Sequence, residues 1–211
     1  KMSPKEREVT AYHEAGHALV SRILPDADPP RKITIIPRGI AGGYTKTLQE
    51  DRVFWTRSKF TNEIAALLAG NTAEKLVFSE MTTGAQNDIK QATEWARRMV
   101  TDFGMSDKLG PRSFGDKQEL VFLGREISEQ KDYGDKIADL IDEEIDKIIH
   151  NGYRVAKKVL TANKSKLIQI AEKLITRETV EGEELEVLFN ESVDLSLPET
   201  SPAPTPVKAT N

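Results

Sequence analysis

Two histidines in this chain are spaced one helical turn apart. His13 and His17 belong to the run His-Glu-Ala-Gly-His, an H-E-x-x-H pattern. Just upstream, Ser3 can cap a helix, Pro4 suits the first helical position and Glu6 completes a capping box. An apolar stripe at helical spacing then continues to residue 23. Side chains four residues apart share one helix face, so we predict a helix that presents both imidazoles to one metal ion.

Glu14, which follows the first histidine, gives the pattern its catalytic interpretation. It lies about 100° around the helix from His13, beside a metal ion held by the histidines, and Gly16 leaves space close to the site. In zinc hydrolysis the metal ion lowers the pKa of a water, and such a carboxylate takes the proton and passes it to the leaving amine. The alternative is an exposed helix that carries two histidines by coincidence. Since two of only three histidines fall at this spacing, we favour the metal site.

A catalytic zinc needs a third protein ligand, and the composition limits the choice to a carboxylate. The chain has no cysteine, and the remaining histidine, His150, is predicted at the surface of a long helix. The candidates are Glu74, Glu80 and Asp88. Asp88 lies in the first turn of a predicted helix, where an aspartate equally serves to complement the helix dipole. Spacing alone leaves the choice open.

The rest of the hydrophobic pattern predicts a mostly α-helical domain with a small β-sheet or hairpin. Further helices are predicted at residues 60–76, 87–103, 133–160, 165–175 and 183–189. Alternating apolar residues predict a short strand at 32–37, followed by a glycine-containing bend, and 120–123 is a second strand candidate. We predict one domain over residues 1–189. Because apolar residues become sparse and prolines accumulate, we predict a disordered C-terminal tail over 190–211.

Charge and cysteine content narrow the partners and the compartment. The 30 basic and 34 acidic residues give a net charge of −4, which argues against nucleic acid as a main partner. The absence of cysteine fits a reducing compartment. No run approaches the ~18 apolar residues of a membrane span. Because the chain starts at Lys1, directly before a helix cap, we expect a longer protein whose upstream segments carry any membrane anchor.

Several short motifs follow one another in the order typical of one protease family. The matching segments are residues 11–18 around the histidines, 35–39, 43–45, 68–70, 73–74, 82–85, 87–88 and 104–110. In these segments the chain resembles the peptidase domain of the FtsH family of membrane-anchored, AAA-linked zinc metalloproteases. Several motifs in the same order are far more specific than H-E-x-x-H alone. The resemblance extends to about residue 189.

The resemblance implies roles for residues that spacing left open. It implies that Asp88 is the third zinc ligand and that Glu74 is a partner that orients a ligand histidine. For Glu74 the alternative is an ordinary charge on a helix surface. The resemblance also implies a substrate-binding edge that aligns an extended chain through main-chain hydrogen bonds, where the alternative is a plain core strand. The residues of this edge are Ile33, Ile35, Gly43 and Tyr44.

The same resemblance implies a function for residues 1–189 as a zinc metallopeptidase domain. We expect a zinc-dependent endopeptidase that hydrolyses unfolded or extended proteins, within an ATP-dependent, homo-hexameric protease of membrane protein quality control. The chain has no G-x-x-x-x-G-K-[ST] loop, so ATP is expected only in an ATPase module outside it. The full-length protein is expected at a membrane, with this domain in the bacterial cytoplasm or an organelle matrix or stroma. The alternatives are a non-catalytic metal-binding oligomerisation module and a zinc aminopeptidase.

Overall fold

The computed structural model describes residues 1–37, 54–115 and 132–192, in which helices predominate. The elements are helices α1 (Pro4–Ile23), α2 (Arg57–Phe78), α3 (Gln86–Thr101), α4 (Asp135–Ala162), α5 (Lys164–Arg177) and α6 (Gly182–Asn190), strands β1 (Lys32–Thr34) and β2 (Thr179–Glu181), and a 3₁₀ turn at Thr83–Ala85. This content confirms the predicted class, a mostly α-helical domain with a small sheet. Each predicted helix is present, with ends shifted by a few residues at most.

Helix α1 begins where the capping box places it. The Ser3 hydroxyl accepts a hydrogen bond from the Glu6 amide over 3.1 Å, and the Ser3 amide donates to the Glu6 carboxylate over 2.7 Å. These bonds satisfy amide groups that a helix start otherwise leaves without partners. The helix ends at Ile23, because Leu24 adopts an extended conformation ahead of Pro25. From residue 11 onward most of α1 is buried, including both histidines of the motif.

Helix α2 lies at the centre of the domain, and α1 packs closely along it. A Cβ atom added to Gly16 of α1 would lie 2.7 Å from the Ala69 carbonyl oxygen and 2.7 Å from the Ala73 Cβ. No larger residue fits at this separation, so Gly16 allows the two helix backbones to approach. One hydrophobic cluster joins α1 and α2 to α5 and the end of α4, and a second joins α2 to α3 and the first half of α4.

The two strands pair antiparallel, with Ile33 of β1 opposite Val180 of β2. The strand predicted at 32–37 is therefore present in a shorter form, and among the described residues its partner is β2, which is distant in the chain. β2 comes from the segment between α5 and α6, where the sequence pattern predicts no strand. Three residues with one buried side chain carry too little alternation to be detected, and the packing of α5 against α1 brings them to β1.

Some of the predictions fall on residues outside the described part of the chain. The bend with Gly43 and Tyr44 and the strand candidate at 120–123 both lie there. The predicted tail lies there as well, apart from residues 190–192. The last described helix, α6, ends at Asn190. The tail and the domain boundary at residue 189 therefore stay predictions.

Candidate metal centre

Three buried side chains from α1 and α3 direct ligand atoms at one point. The Nε2 atoms of His13 and His17 are 2.9 Å apart, and each lies 3.1 Å from Oδ2 of Asp88. The exposed fractions of these residues are 6%, 1% and 3%. Ligand atoms about 2.0–2.2 Å from a tetrahedral zinc ion lie about 3.3 Å from one another. The three atoms therefore form a slightly contracted face of a zinc tetrahedron.

Partners behind the imidazole rings determine which nitrogen atoms are available to a metal ion. Nδ1 of His17 donates to the Ala66 carbonyl oxygen over 2.7 Å. Nδ1 of His13 donates to Oε2 of Glu74 over 2.9 Å. A neutral imidazole with its proton on Nδ1 presents a lone pair at Nε2, so the converging atoms repel one another unless a cation or a proton lies between them. Two imidazole nitrogens and a carboxylate oxygen are a donor set that fits a catalytic zinc ion.

Gly70 on α2 leaves the space into which the ligand atoms project. A Cβ atom added there would lie 2.5 Å from the Nε2 atoms of both His13 and His17. The role that sequence analysis assigns to Gly16 therefore belongs to Gly70, since Gly16 faces the backbone of α2 instead. A signal for Gly70 exists in the sequence. A glycine inside a helix costs about 1 kcal/mol relative to alanine, which indicates a steric reason for its presence.

Glu74 is buried on the same helix, and both of its carboxylate oxygens have partners. Oε2 accepts from His13, and Oε1 accepts a 2.5 Å hydrogen bond from the Thr82 hydroxyl. Its exposed fraction is 1%, which is not that of a helix-surface charge. A carboxylate behind a ligand histidine fixes the tautomer and orientation of the ring and makes Nε2 a stronger ligand. Glu80 and His150 are exposed and are not members of the converging group.

Glu14 lies on α1 next to a converging histidine and is not one of the three converging ligands. Burial raises the pKa of the Glu14 carboxyl above its ordinary value, an effect that positive charge on the two histidines opposes and the charge of Asp88 reinforces. A carboxylate with a raised pKa accepts a proton more readily from a weakly acidic group. The environment of Glu14 therefore suits a general base.

In the protein without a metal ion, a proton can hold the ligand atoms together. Burial alone would lower the pKa of His13, but hydrogen bonds to Asp88 and Glu74 outweigh it and raise the pKa to about 10. Burial would raise the pKa of Asp88, but its hydrogen bonds to the two histidines lower the pKa below its ordinary value. A proton on Nε2 of His13 and a metal ion therefore compete for the same lone pair.

Zinc affinity is accordingly expected to rise by about tenfold per pH unit between about pH 6 and 8. A histidine with a pKa of about 10 is protonated over this range, so each zinc ion that binds His13 must displace one proton. A histidine with the ordinary pKa of about 6.5 would give this slope only below that pH. Competition with a chromophoric chelator at several pH values measures the slope. An affinity that stays constant between pH 7 and 8 would contradict the raised pKa.

The described residues of the predicted substrate edge have their side chains in the hydrophobic core. Ile33 and Ile35 are each 4% exposed and pack in the cluster that includes α1 and α5. The structure does not place them among the converging ligands. β2 pairs with one edge of β1, and no strand in residues 1–37, 54–115 or 132–192 covers the other edge. The two isoleucine side chains are therefore not available to a substrate peptide.

The sequence is similar to one family of known proteins over most of its length. A sequence model of peptidase family M41 matches residues 1–188. The chain is 54% identical over 192 residues to the ATP-dependent zinc metalloprotease FtsH 1 of Thermomicrobium roseum, and 53% identical over 191 residues to the protein of that name from Sphaerobacter thermophilus. It is 47% identical over 194 residues to the ATP-dependent zinc metalloprotease FtsH of Caldicellulosiruptor bescii. These alignments cover 90%, 90% and 92% of this chain, which spans only 29%, 29% and 32% of the relatives.

Proposed function

Because this chain belongs to peptidase family M41, we propose that it is the zinc-dependent endopeptidase part of a longer ATP-dependent protease and cleaves unfolded or extended polypeptides. The observation that carries the proposal is the convergence of His13, His17 and Asp88 at 2.9–3.1 Å, with Glu14 alongside on α1. A structural zinc is normally closed by four protein ligands. The described residues bring three to this point, which leaves a position for water.

Residues of this chain have separate roles in the proposed hydrolysis of a peptide bond. Zinc bound at this site lowers the pKa of a water molecule and polarises the scissile carbonyl group. Glu14, which lies beside the ligands on α1, would accept the proton of the attacking water and pass it to the leaving amine. Glu74 and the Ala66 carbonyl hold the two imidazoles with Nε2 toward the centre. Asp88 contributes the one negatively charged ligand.

An extended main chain is the substrate feature that this domain is suited to recognise. A peptide added beside β1 would bind through main-chain hydrogen bonds, which depend little on the peptide's sequence. Ile33 and Ile35 hold β1 in the core and so keep its edge in place. Gly43 and Tyr44 stay proposed substrate contacts. Recognition of this kind requires an unfolded segment, because a folded substrate has its main-chain groups already paired.

The test is cleavage of a loosely structured protein such as casein by the zinc-loaded chain, with a tightly folded protein as the control substrate. We expect cuts at internal bonds of casein, mapped by mass spectrometry, that stop on chelation and return with added zinc. About one zinc ion per chain without any hydrolysis would overturn the proposal and favour the non-catalytic metal-binding module. Release of single residues from the amino terminus would favour the aminopeptidase.

Asp88→Asn is expected to weaken zinc binding by more than about 100-fold, beyond what removal of an outer partner of a ligand costs. The amide keeps the shape of the side chain but loses the negative charge at the atom 3.1 Å from both histidines. Chelator competition measures the affinity, and hydrolysis of casein should fall in parallel.

Asp135→Asn is the matched control, because Asp135 also occupies the first turn of a helix, α4, and is exposed. Its substitution removes the same favourable interaction with a helix dipole and should leave zinc affinity unchanged. If the two substitutions change zinc affinity equally, Asp88 only stabilises the start of its helix and is not a zinc ligand.

Assembly and location are proposals that rest on the family resemblance. We propose a homo-hexamer, an ATPase module outside this chain, and attachment of the longer protein to a membrane with this domain in a reducing compartment. The names of the relatives describe those proteins as ATP-dependent. Among the helices that the structure describes, none combines the length and apolarity needed to cross a bilayer.

A further inference from the structure

The Thr82 hydroxyl lies between Glu74, which contacts His13, and the turn that leads to Asp88. It donates to Oε1 of Glu74 over 2.5 Å and accepts from the Gly84 amide over 3.2 Å. Since a carboxylate only accepts and an amide N–H only donates, the direction of both bonds is fixed. One hydroxyl thus joins α2, which carries Glu74, to the 3₁₀ turn that precedes α3.

Helix α3 has no side-chain cap of its own. Its first flanking residue is Ala85, which makes no side-chain hydrogen bond to the helix start. The preceding turn is instead capped by Thr82, and this turn leads directly into Gln86, the first residue of α3. Asp88 lies in the first turn of α3. The cap that orders the 3₁₀ turn therefore also orders the backbone that carries the third ligand.

Glu74 connects the Thr82 hydroxyl to one of the converging histidines. Oε2 of Glu74 accepts from His13, so the two carboxylate oxygens hold the histidine on one side and Thr82 on the other. Glu74 is buried, and a buried oxygen that loses its partner is costly. Thr82 itself is exposed and reaches the carboxylate from the surface. Without its hydroxyl, the carboxylate is free to turn and holds His13 less firmly.

We propose that Thr82 is a positioning residue of the metal centre. Its hydroxyl couples the Glu74 and His13 side of the site to the start of α3 that carries Asp88, and this coupling strengthens zinc binding. The inference rests on the proposed function, because it takes the three converging side chains to be zinc ligands. It adds a residue that touches neither the metal ion nor the substrate.

The experiment compares zinc affinity in Thr82→Val, which removes only the hydroxyl from a side chain of the same shape, and in Thr82→Ser, which keeps it. Chelator competition on the whole chain, without any peptide substrate, gives the dissociation constants. We expect about tenfold weaker binding for Thr82→Val, at the lower end of the range for outer partners of metal ligands. Thr82→Ser should keep the dissociation constant within about threefold of that of the parent protein, since serine can make both hydrogen bonds.

Two controls separate positioning from a general loss of stability. Thr83→Val changes the adjacent exposed threonine, which takes no part in the path from Glu74 to Gly84, and should leave the dissociation constant unchanged. In a Glu74→Ala background, Thr82→Val should weaken zinc binding much less than it does alone, because the carboxylate that links Thr82 to His13 is then absent. Thr82→Ala replaces Thr82→Val in the comparison if the valine variant does not fold.

A dissociation constant for Thr82→Val within twofold of the parent protein would overturn the inference, whether or not its urea midpoint without metal falls. An undiminished tenfold effect in the Glu74→Ala background would overturn it as well. These outcomes differ from a failure of the proposed function, in which the parent protein itself would not bind zinc or would not hydrolyse casein.

Discussion

Glu14→Gln is expected to lower the rate of peptide hydrolysis by about 10²–10⁴-fold while the protein keeps its zinc. Glutamine has nearly the same shape as glutamate but cannot accept the proton of the attacking water. Because Glu14 is not among the three converging ligands, its substitution leaves the donor set intact. Initial rates on an unfolded substrate and elemental analysis of the same sample measure the two quantities together.

The control for this prediction is Glu8→Gln, which removes the same charge from α1 six residues before Glu14. Glu8 forms a 3.7 Å ion pair with Lys5 and is not one of the converging ligands, so rate and zinc content should stay within about twofold of the parent protein. Full activity of Glu14→Gln would rule out its role as the general base. Loss of zinc together with activity would instead show that Glu14 helps to hold the metal ion.

Gly70→Ala is expected to weaken zinc binding by about 10- to 100-fold. Overpacking a filled site costs about 1–3 kcal/mol, which corresponds to a loss of affinity of this size. The added Cβ atom would lie 2.5 Å from the Nε2 atoms of His13 and His17. The rings cannot retreat without losing the bonds that Glu74 and the Ala66 carbonyl make to their Nδ1 atoms. Chelator competition measures the loss of affinity.

Gly152→Ala provides the matched control, because Gly152 is a buried helical glycine as well. A Cβ atom at Gly152 would lie 2.9 Å from the end of the Ile64 side chain, in the second hydrophobic cluster. Because the added atom overpacks this cluster, the substitution should lower the free energy of unfolding while leaving zinc affinity unchanged. If Gly70→Ala binds zinc as tightly as the parent protein, the close approach of α2 to the two imidazoles is not required for the site.

The capped helix with its histidine pair could be predicted from the sequence because every feature involved is local. The capping box spans Ser3 to Glu6, and His13 and His17 are four residues apart. A regular helix fixes the relative position of such residues without reference to the rest of the chain. The same holds for the other helices, whose apolar stripes identify them and whose ends shift only slightly.

The surroundings of the histidines could not be derived in this way. Glu74 and Asp88 lie 61 and 75 residues from His13 in the sequence. Spacing allows three carboxylates as the third ligand, and the family resemblance points to Asp88, the one that the geometry of the structure supports. The role of Gly70 cannot be read from the segment that contains it, because the role depends on how α2 packs under the imidazoles. Thr82 likewise acquires its role from contact with α2.

The strand pairing likewise combines one strand that a local pattern predicts with a partner that it does not. An alternating pattern was enough to locate β1, but its partner β2 lies 145 residues away at Thr34 and Thr179, in three residues without a recognisable pattern. The burial of Ile33 and Ile35 follows from that pairing and from the helices beneath it. The two isoleucines of the predicted edge therefore pack inward.

Local spacing is enough to predict that one helix carries two imidazoles and a carboxylate in the arrangement of a zinc hydrolase, because four residues of regular helix leave little conformational freedom. Spacing does not show which carboxylate approaches them, which glycine makes room and which groups hold the rings. These depend on contacts among α1, α2 and α3, and the position of one helix against another follows from the packing of the whole core rather than from any local pattern.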